Sequence, residues 1–307
     1  MMPPGSLALA TPRGGRPPAA RQSRFRGGKL GFSFVRLTMA FLVAAAPGRP
    51  QAQEDVPFIT TPDVVTLAML ELAGVGPQDN VVDLGSGDGR IVITAARRFG
   101  AHGLGVEIVP ELVAASRQHA RAAGVAERAV FVEQDLFATD LRQATVVTMY
   151  LLPAVNLQLR PRLLALKPGT RIVSHDWDLG DWRPDRSLSL DVPDKAIGKD
   201  KRSTVHLWVV PAPVQGLWCS EGLRLEIAQR FQRFSASFTA AGATVPQAVV
   251  DGQVGAAELN APGEATGTRA RLRLEDAALT LAEATGALAA WQGRSFSRAG
   301  ASGCARA

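Results

Sequence analysis

The stretch from residue 81 to residue 99 constrains this chain more than any other. A short apolar run, Val81-Val82-Asp83-Leu84, enters the turn Gly85-Ser86-Gly87-Asp88-Gly89, and Ile91 to Phe99 follows at helical spacing. An apolar run this short, broken by glycines and followed at once by a helix, predicts a buried strand feeding a crossover. The alternation continues along the chain. Leu104–Ile108, Ala129–Glu133, Val146–Leu151 and Arg171–Ser174 read as strands, with helices expected over Pro110–Ala123 and Asn156–Leu166. Ser187–Val192 and Thr204–Val210 complete a set of seven strands. Upstream, Thr61-Pro62-Asp63 has the composition of a helix start, with a capping hydroxyl, then proline, then an acid. Strands alternating with helices predict an α/β domain whose mostly parallel sheet is covered by helices on both faces.

The turn after the first strand places a ligand site at the carboxyl end of that sheet, facing backbone amides and a helix N-terminus. Gly85, Gly87 and Gly89 permit a sharp turn and a close approach to the ligand. A dinucleotide fingerprint is Gly-x-Gly-x-x-Gly, whereas the third glycine here comes one residue early. Asp83 and Asp88 flank the turn, and two acids beside a helix N-terminus suit an ammonium or sulfonium cation better than a pyrophosphate. A nicotinamide-dependent oxidoreductase is therefore a disfavoured alternative. Glu107, at the tip of the next strand, is placed to accept hydrogen bonds from ribose hydroxyls, a role that serves either cofactor class. Asp135 follows the third strand, where an acid can accept from an adenine amino group while Leu136 and Phe137 pack on the ring.

On these residues the chain, from about Phe58 to Val210, resembles the class I, seven-β-strand methyltransferases. Asp83 to Gly89 is similar to their glycine motif, Glu107 to their ribose-binding acid and Asp135 to their adenine-side acid. More narrowly, Pro62-Asp63, the run Asp83 to Arg90, Tyr150-Leu151-Leu152-Pro153 and Ser174-His175-Asp176 resemble a bacterial group. That group is akin to the protein-lysine methyltransferases that modify mitochondrial membrane proteins. The resemblance implies a Rossmann-like sheet and S-adenosyl-L-methionine as cofactor. It implies an acceptor that is a protein lysine or a small molecule, a membrane-associated protein being one option. The cofactor-binding set implied is Thr61, Asp83, Gly85, Ser86, Gly87, Asp88, Gly89, Glu107, Ile108, Asp135, Leu136 and Tyr150.

Methyl transfer is an in-line displacement in which positioning supplies most of the acceleration, so no nucleophilic Ser or Cys is required. A lysine acceptor must first lose its proton and its water shell, which favours an aromatic-walled channel. Tyr150, the only tyrosine in the chain, ends the fourth strand and is the expected aromatic wall. His175 and Asp176, with Asp178 and Asp181 behind them, form a polar cluster after the fifth strand that is read as the catalytic side. It offers a general base or, as the weaker alternative, ligands for a divalent metal. Trp177, Trp182 and Trp208 are expected to line an acceptor cleft, ordinary packing being the preferred reading for Trp208.

The flanking segments read differently. Residues 1–53 hold eight Lys or Arg and no acid, which leaves 26 basic against 28 acidic side chains in the remainder. The formal charge of +6 is therefore a property of the first segment and implies no nucleic-acid-binding body. A basic stretch, the apolar run Leu37–Ala46 and the small-residue region around Gln51-Ala52-Gln53 have the layout of a secretory signal peptide. The expectation is export to a periplasmic or extracellular compartment, with a mitochondrial presequence or a cytoplasmic chain as alternatives. An exported chain that keeps the fold as a non-catalytic binding protein is the rival function. Residues 54–212 are expected to form the catalytic domain and 213–307 a small, mostly β domain with a disordered tail. The Ala-rich run 277–290 is open to helix or strand, and Cys219 and Cys304 are read as two unpaired, inert thiols, with pairing reserved for an exported chain.

Overall fold

A computed structural model describes residues 59–196, 200–264, 267–301 and 303–304. The described residues all belong to the unit Val56–Ala307. The leader expected over residues 1–53 lies outside them.

Helix α1 (Asp63–Leu72) precedes a regular alternation: β1 (Asn80–Leu84), α2 (Arg90–Phe99), β2 (His102–Glu107), α3 (Pro110–Ala122) and β3 (Ala129–Glu133). β4 (Val146–Met149), α4 (Pro153–Leu164), β5 (Arg171–His175), β6 (Arg186–Asp191) and β7 (Arg202–Val209) complete the first domain. The seven strands lie in the order β3-β2-β1-β4-β5-β7-β6. β1 through β5 run parallel, whereas β7 pairs antiparallel with both β5 and β6. The order reverses between β1 and β4, each of which continues outward in a different direction, so a crevice opens outside their carboxyl ends.

Period-two alternation decides what each sheet face buries. Val81, Val146, Val173, Val205 and Leu207 pack against α1 and α2, while Val82, Leu84, Val147, Met149, Ile172 and Trp208 pack toward α4. Each fully buried side chain of this size contributes about 2 kcal/mol of transfer free energy. On the α1 face the same alternation continues into a polar layer at the carboxyl edge: Asp83 above Val81, Thr148 above Val146, His175 above Val173. All three are buried. The fold thus ends its apolar core in three buried polar side chains at the crevice.

The helix start differs in detail from expectation. Pro62, not Thr61, occupies the cap of α1, and no side chain caps it. Helices do flank both faces, but among the described residues α4 is the only helix between β4 and β7. The segment from Asp176 to Asp185 crosses that face without helical structure.

The second domain is more than a set of hairpins. Eight strands, β8 (Gly216–Ser220), β9 (Leu223–Arg230), β10 (Arg233–Ala240), β11 (Ala248–Val254), β12 (Glu258–Ala261), β13 (Ala270–Glu275), β14 (Ala278–Ala284) and β15 (Ser295–Arg298), close into a barrel. β15 pairs with β8 to close it. Its interior is filled by side chains such as Trp218, Phe238, Leu272 and Phe296, each almost fully buried. The Ala-rich run resolves into β14 followed by a 3₁₀ helix, Gly286–Trp291. Cys219 and Cys304 are joined in a disulfide, contrary to the expectation of two free thiols. The chain returns past β15 to bring Cys304 back beside β8, a proximity across 85 residues that spacing alone does not reveal.

Candidate active site at the carboxyl edge of the sheet

The glycine turn is built as predicted, with Gly85, Gly87 and Gly89 all in left-handed conformation at φ of 75°, 52° and 84°. Gly89 is also sterically required, because a Cβ there would meet the Phe131 ring at 2.7 Å and Ser116 at 2.8 Å. Gly105 on β2 lies against the same side of that ring, at Cδ1 and Cε1, where a Cβ would lie 2.3 Å from Phe131. Phe131 therefore fits between the turn and β2 only because both positions lack side chains.

Most of the turn's amides are engaged within the protein. Those of Gly85 and Ser86 both donate to Val106 O at 2.9 Å, and that of Gly87 donates to Glu107 Oε2 at 2.9 Å. A phosphate-binding loop needs these donors free; here they tie the turn to β2. The second Glu107 oxygen accepts from Ile108 and Val109 amides at 2.8 and 3.1 Å. With three of about four lone-pair positions filled, Glu107 has room for one further donor such as a ribose hydroxyl, not two, unless an amide is displaced. Ser86 Oγ is buried without a partner and turned toward Gly105, so its hydroxyl is withdrawn from the crevice.

Two acids flank the turn and have opposite circumstances. Asp88 is gripped by Arg90, with Nε–Oδ1 at 3.0 Å and Nη2–Oδ2 at 2.6 Å. Burial works to raise its carboxyl, but the hydrogen bonds and charge of Arg90 outweigh that and hold it below the ordinary value. Arg90 in turn donates to Thr61 O at 2.8 Å, fastening the start of α1 over the turn. Asp88 thus spends its charge within the protein, a different role from the cation contact expected of it. Among the described residues Asp83 has no cationic partner. Thr148 Oγ1 donates to its Oδ1 at 2.7 Å. Burial pushes the carboxyl up to about 7 against the pull of that hydrogen bond, and the Glu107 and Asp88 charges add to the rise. A buried carboxylate short of positive charge, below a turn whose amides are mostly used, fits a cation-bearing cofactor.

Asp135 stands beyond β3 and is exposed, its Oδ1 accepting from the Phe137 amide at 2.8 Å as the cap of a 3₁₀ turn, Leu136–Ala138. Leu136 is half-buried, whereas Ile108 is exposed at the end of β2. Both lie at the same carboxyl edge as Glu107, where an adenosine would extend from the turn.

Beyond β4, Tyr150 lies half-buried with its ring stacked on His175, centroids 3.9 Å apart. Burial, then the Asp176 charge, raise the Tyr150 hydroxyl above its ordinary value, so it stays protonated at neutral pH. His175 itself is fully buried. Its Nε2 meets Ser203 Oγ at 2.9 Å and its Nδ1 meets Thr61 Oγ1 at 3.5 Å. Burial, helped by Lys195 and opposed by Asp176, pushes the imidazole well below its ordinary value. With both nitrogens engaged and no exposure, it is not placed to take a proton from an acceptor, and the reading as a general base is corrected to that of a neutral support beneath Tyr150. Asp176 is likewise occupied. It adopts a left-handed φ of 62°, accepts from the Thr204 amide at 2.9 Å and pairs with Lys195 Nζ at 2.7 Å.

The remainder of the expected cluster does not converge. Asp178 Oδ1 accepts from the Gly180 amide at 3.0 Å, and Asp181 pairs with Arg160 and Arg230. Trp182 and Trp208 are fully buried, leaving Trp177, 44% exposed, as the one of the three tryptophans open to an acceptor. Thr148, Lys195 and Ser203 are not among the residues expected at the site, and Arg90 is expected only as the end of the Asp83–Arg90 run, without a role of its own. Only Arg90, adjacent to the glycine motif, carried a local signal.

The first domain is similar to known proteins. Residues 83–186 match the ANTKMT methyltransferase domain family. A protein-lysine N-methyltransferase of Saccharolobus islandicus (strain REY15A) is 41% identical over 157 residues, which is 50% of this chain and 94% of that protein. The mouse adenine nucleotide translocase lysine N-methyltransferase is 38% identical over 110 residues, 36% of this chain and 48% of that protein, so the chain spans about half of its length. An RNA methyltransferase from Salinibacter ruber, solved with S-adenosyl-L-homocysteine, is 50% identical with a TM-score of 0.47, covering 51% of this chain and 96% of that one. The methyl donor of these enzymes carries a sulfonium and an ammonium, the charge that Asp83 lacks. The chain belongs to the class I S-adenosylmethionine-dependent methyltransferases, akin to the protein-lysine N-methyltransferases.

Proposed function

We propose that the methyl group is delivered to the side-chain amine of a lysine in a protein. The observation that carries this reading is the Tyr150 ring, held over neutral His175 at the carboxyl end of β4, with the buried acid Asp83 below the neighbouring turn. The Saccharolobus islandicus relative, matched over nearly its whole length, supports the same acceptor. When bound, S-adenosylmethionine supplies a methyl group activated by a sulfonium. The amine lone pair forms the new N–C bond as the C–S bond breaks and its electron pair stays on sulfur; the proton of the resulting ammonium passes to water. Positive charge moves from sulfur to nitrogen, and the face of Tyr150 is an aromatic surface on which either cation is stabilised. Glu107 and Asp135 orient the adenosine, Asp83 answers the cofactor's charge, and Tyr150 aligns the amine for in-line attack. None of these residues has to accept the acceptor's proton, so the site works on the neutral amine.

Leu152, Leu157 and Trp177 are each exposed on the segments that follow β4 and β5, and exposed apolar side chains there support an acceptor segment that is itself apolar, as in a membrane-associated protein. Work in an oxidising compartment is supported by the signal-like run 37–46 together with the Cys219–Cys304 disulfide. Incubating the protein with a cell lysate and methyl-labelled S-adenosylmethionine, followed by digestion and mass spectrometry, tests the acceptor. Methyl-lysine in a discrete protein is expected, and label confined to RNA or to small molecules would refute the lysine reading. Determination of the mature N-terminus tests export; retention of the 37–46 run would refute it.

A further inference from the structure

The tip of the β9–β10 hairpin is Phe231, a bulky residue held at a left-handed φ of 54°. Such a residue persists in that conformation only where its surroundings enforce it. Here its ring stacks on Trp182, centroids 6.0 Å apart and 17° between planes, with the guanidinium groups of Arg160 and Arg230 at 5.8 and 5.9 Å. Its neighbours in the hairpin also reach the first domain. Arg230 pairs with Asp181 at 2.6 Å, and Gln232 Nε2 donates to Arg183 O at 2.6 Å.

Every one of these partners on the first domain except Arg160 belongs to the segment from Asp176 to Asp185, the stretch that leaves the carboxyl end of β5 without a helix. The segment is pinned from the other side by α4. Arg160 donates to Leu179 O at 2.9 Å, and Asn156 Nδ2 to the carbonyls of Trp177 and Asp178 at 3.3 Å each. It also carries Trp177, the exposed aromatic nearest the Tyr150–His175 pair in sequence, and begins at Asp176. A segment without regular structure that carries an acceptor-side residue needs external support to hold a geometry.

We infer that the barrel positions the acceptor side of the active site, its Phe231 tip clamping residues 176–185 against α4 so that Trp177 and Asp176 keep a fixed relation to Tyr150. The inference rests on the lysine reading only for what the acceptor is; the clamp is a statement about this chain. Phe231 is a positioning residue, acting through Trp182 and never on the reacting atoms. Because only glycine accepts a positive φ without strain, Phe231→Gly removes the ring while relieving the hairpin's backbone. Loss of function in that variant therefore does not mean loss of the barrel.

The test is hydrogen exchange on the full chain, with S-adenosyl-L-homocysteine affinity measured beside it. In Phe231→Gly the amides of 177–185 are expected to exchange about tenfold faster or more, while those of 85–89 and of β9–β14 stay as protected as in the parent. The affinity for S-adenosyl-L-homocysteine is expected to remain within about twofold, since the Asp83–Glu107 side does not touch the clamp. Phe231→Tyr should restore protection, its ring filling the same seat. Unchanged protection of 177–185 in Phe231→Gly overturns the inference, as does an equal rise at 85–89, which would signify general loosening. With an acceptor protein from the lysate, turnover should fall in Phe231→Gly and recover in Phe231→Tyr. Absence of any labelled acceptor with the parent protein counts against the lysine reading alone, because the exchange result decides the clamp by itself.

Discussion

Replacing Asp83 by Asn tests the charge logic of the cofactor site most directly. The carboxyl is fully buried and lifted from 3.8 to about 7, with burial the main cause. A raised folded-state value means that the folded protein holds this proton more tightly than the unfolded chain. The associated stability is complete below 3.8 and is lost as pH rises through about 7. The separation corresponds to roughly 4 kcal/mol of unfavourable burial of the ionised form in the ligand-free protein. Asn is isosteric and can still accept from Thr148, so the variant should be more stable than the parent at pH 8, by up to about 4 kcal/mol and by less where local water relaxes the cost. It should nevertheless bind S-adenosylmethionine about 10- to 100-fold more weakly there, having lost the charge that the cofactor's cation meets.

Linkage gives a sharper signature. If the cofactor binds the ionised form, the parent must release the Asp83 proton on binding: about 0.9 proton at pH 6, about 0.5 at pH 7 and about 0.1 at pH 8. Calorimetry in buffers of different ionisation enthalpy measures that number, and Asp83→Asn run in parallel removes the ligand's own titration. Comparing S-adenosylmethionine with S-adenosyl-L-homocysteine assigns the partner, since release that survives loss of the sulfonium belongs to the ammonium. Equal proton release by parent and variant at pH 6, or equal affinity at pH 8, would refute the assignment of Asp83 as the cofactor's counter-charge.

Three further outcomes are expected. Tyr150→Ala should lower methyl transfer by about 100-fold or more with S-adenosyl-L-homocysteine affinity nearly unchanged, whereas Tyr150→Phe should keep most activity; a cofactor affinity that falls in step with rate would place Tyr150 elsewhere. Gly105→Ala drives a Cβ into the Phe131 ring, at 2.3 Å in the parent geometry, and should cost about 1–3 kcal/mol in a denaturant titration, with a neutral result showing that Phe131 is free to move. The buried His175 gives the opposite pH slope to Asp83: its value is depressed, so its contribution is present above the ordinary imidazole range and lost as pH falls through the folded value. The two slopes oppose each other in the parent, and Asp83→Asn should therefore lose stability on acidification from pH 6.5 more steeply than the parent; parallel curves would sink that account.

The sequence by itself determined the sheet-and-helix alternation, the glycine turn and the position of its acids at successive strand ends. Each of these is a local property. Period-two apolar runs, a glycine break and a strand-terminal acid are carried by residues adjacent in the chain, so Asp83, Glu107 and Asp135 could be read off before any fold was known. What those side chains do was decided elsewhere. Asp88 and Asp83 look alike in sequence, yet Arg90 neutralises one while a sheet face buries the other. His175 reads as a base until Thr61, 114 residues away, and Ser203, 28 residues away, are found on its two nitrogens. The Cys219–Cys304 bond and the seating of Phe231 on Trp182 depend in the same way on segments far apart in the chain that only the tertiary fold brings together. Hydrogen bonds, ion pairs and desolvation act over a few ångströms of space, and no spacing along the chain encodes which distant partner will occupy that space.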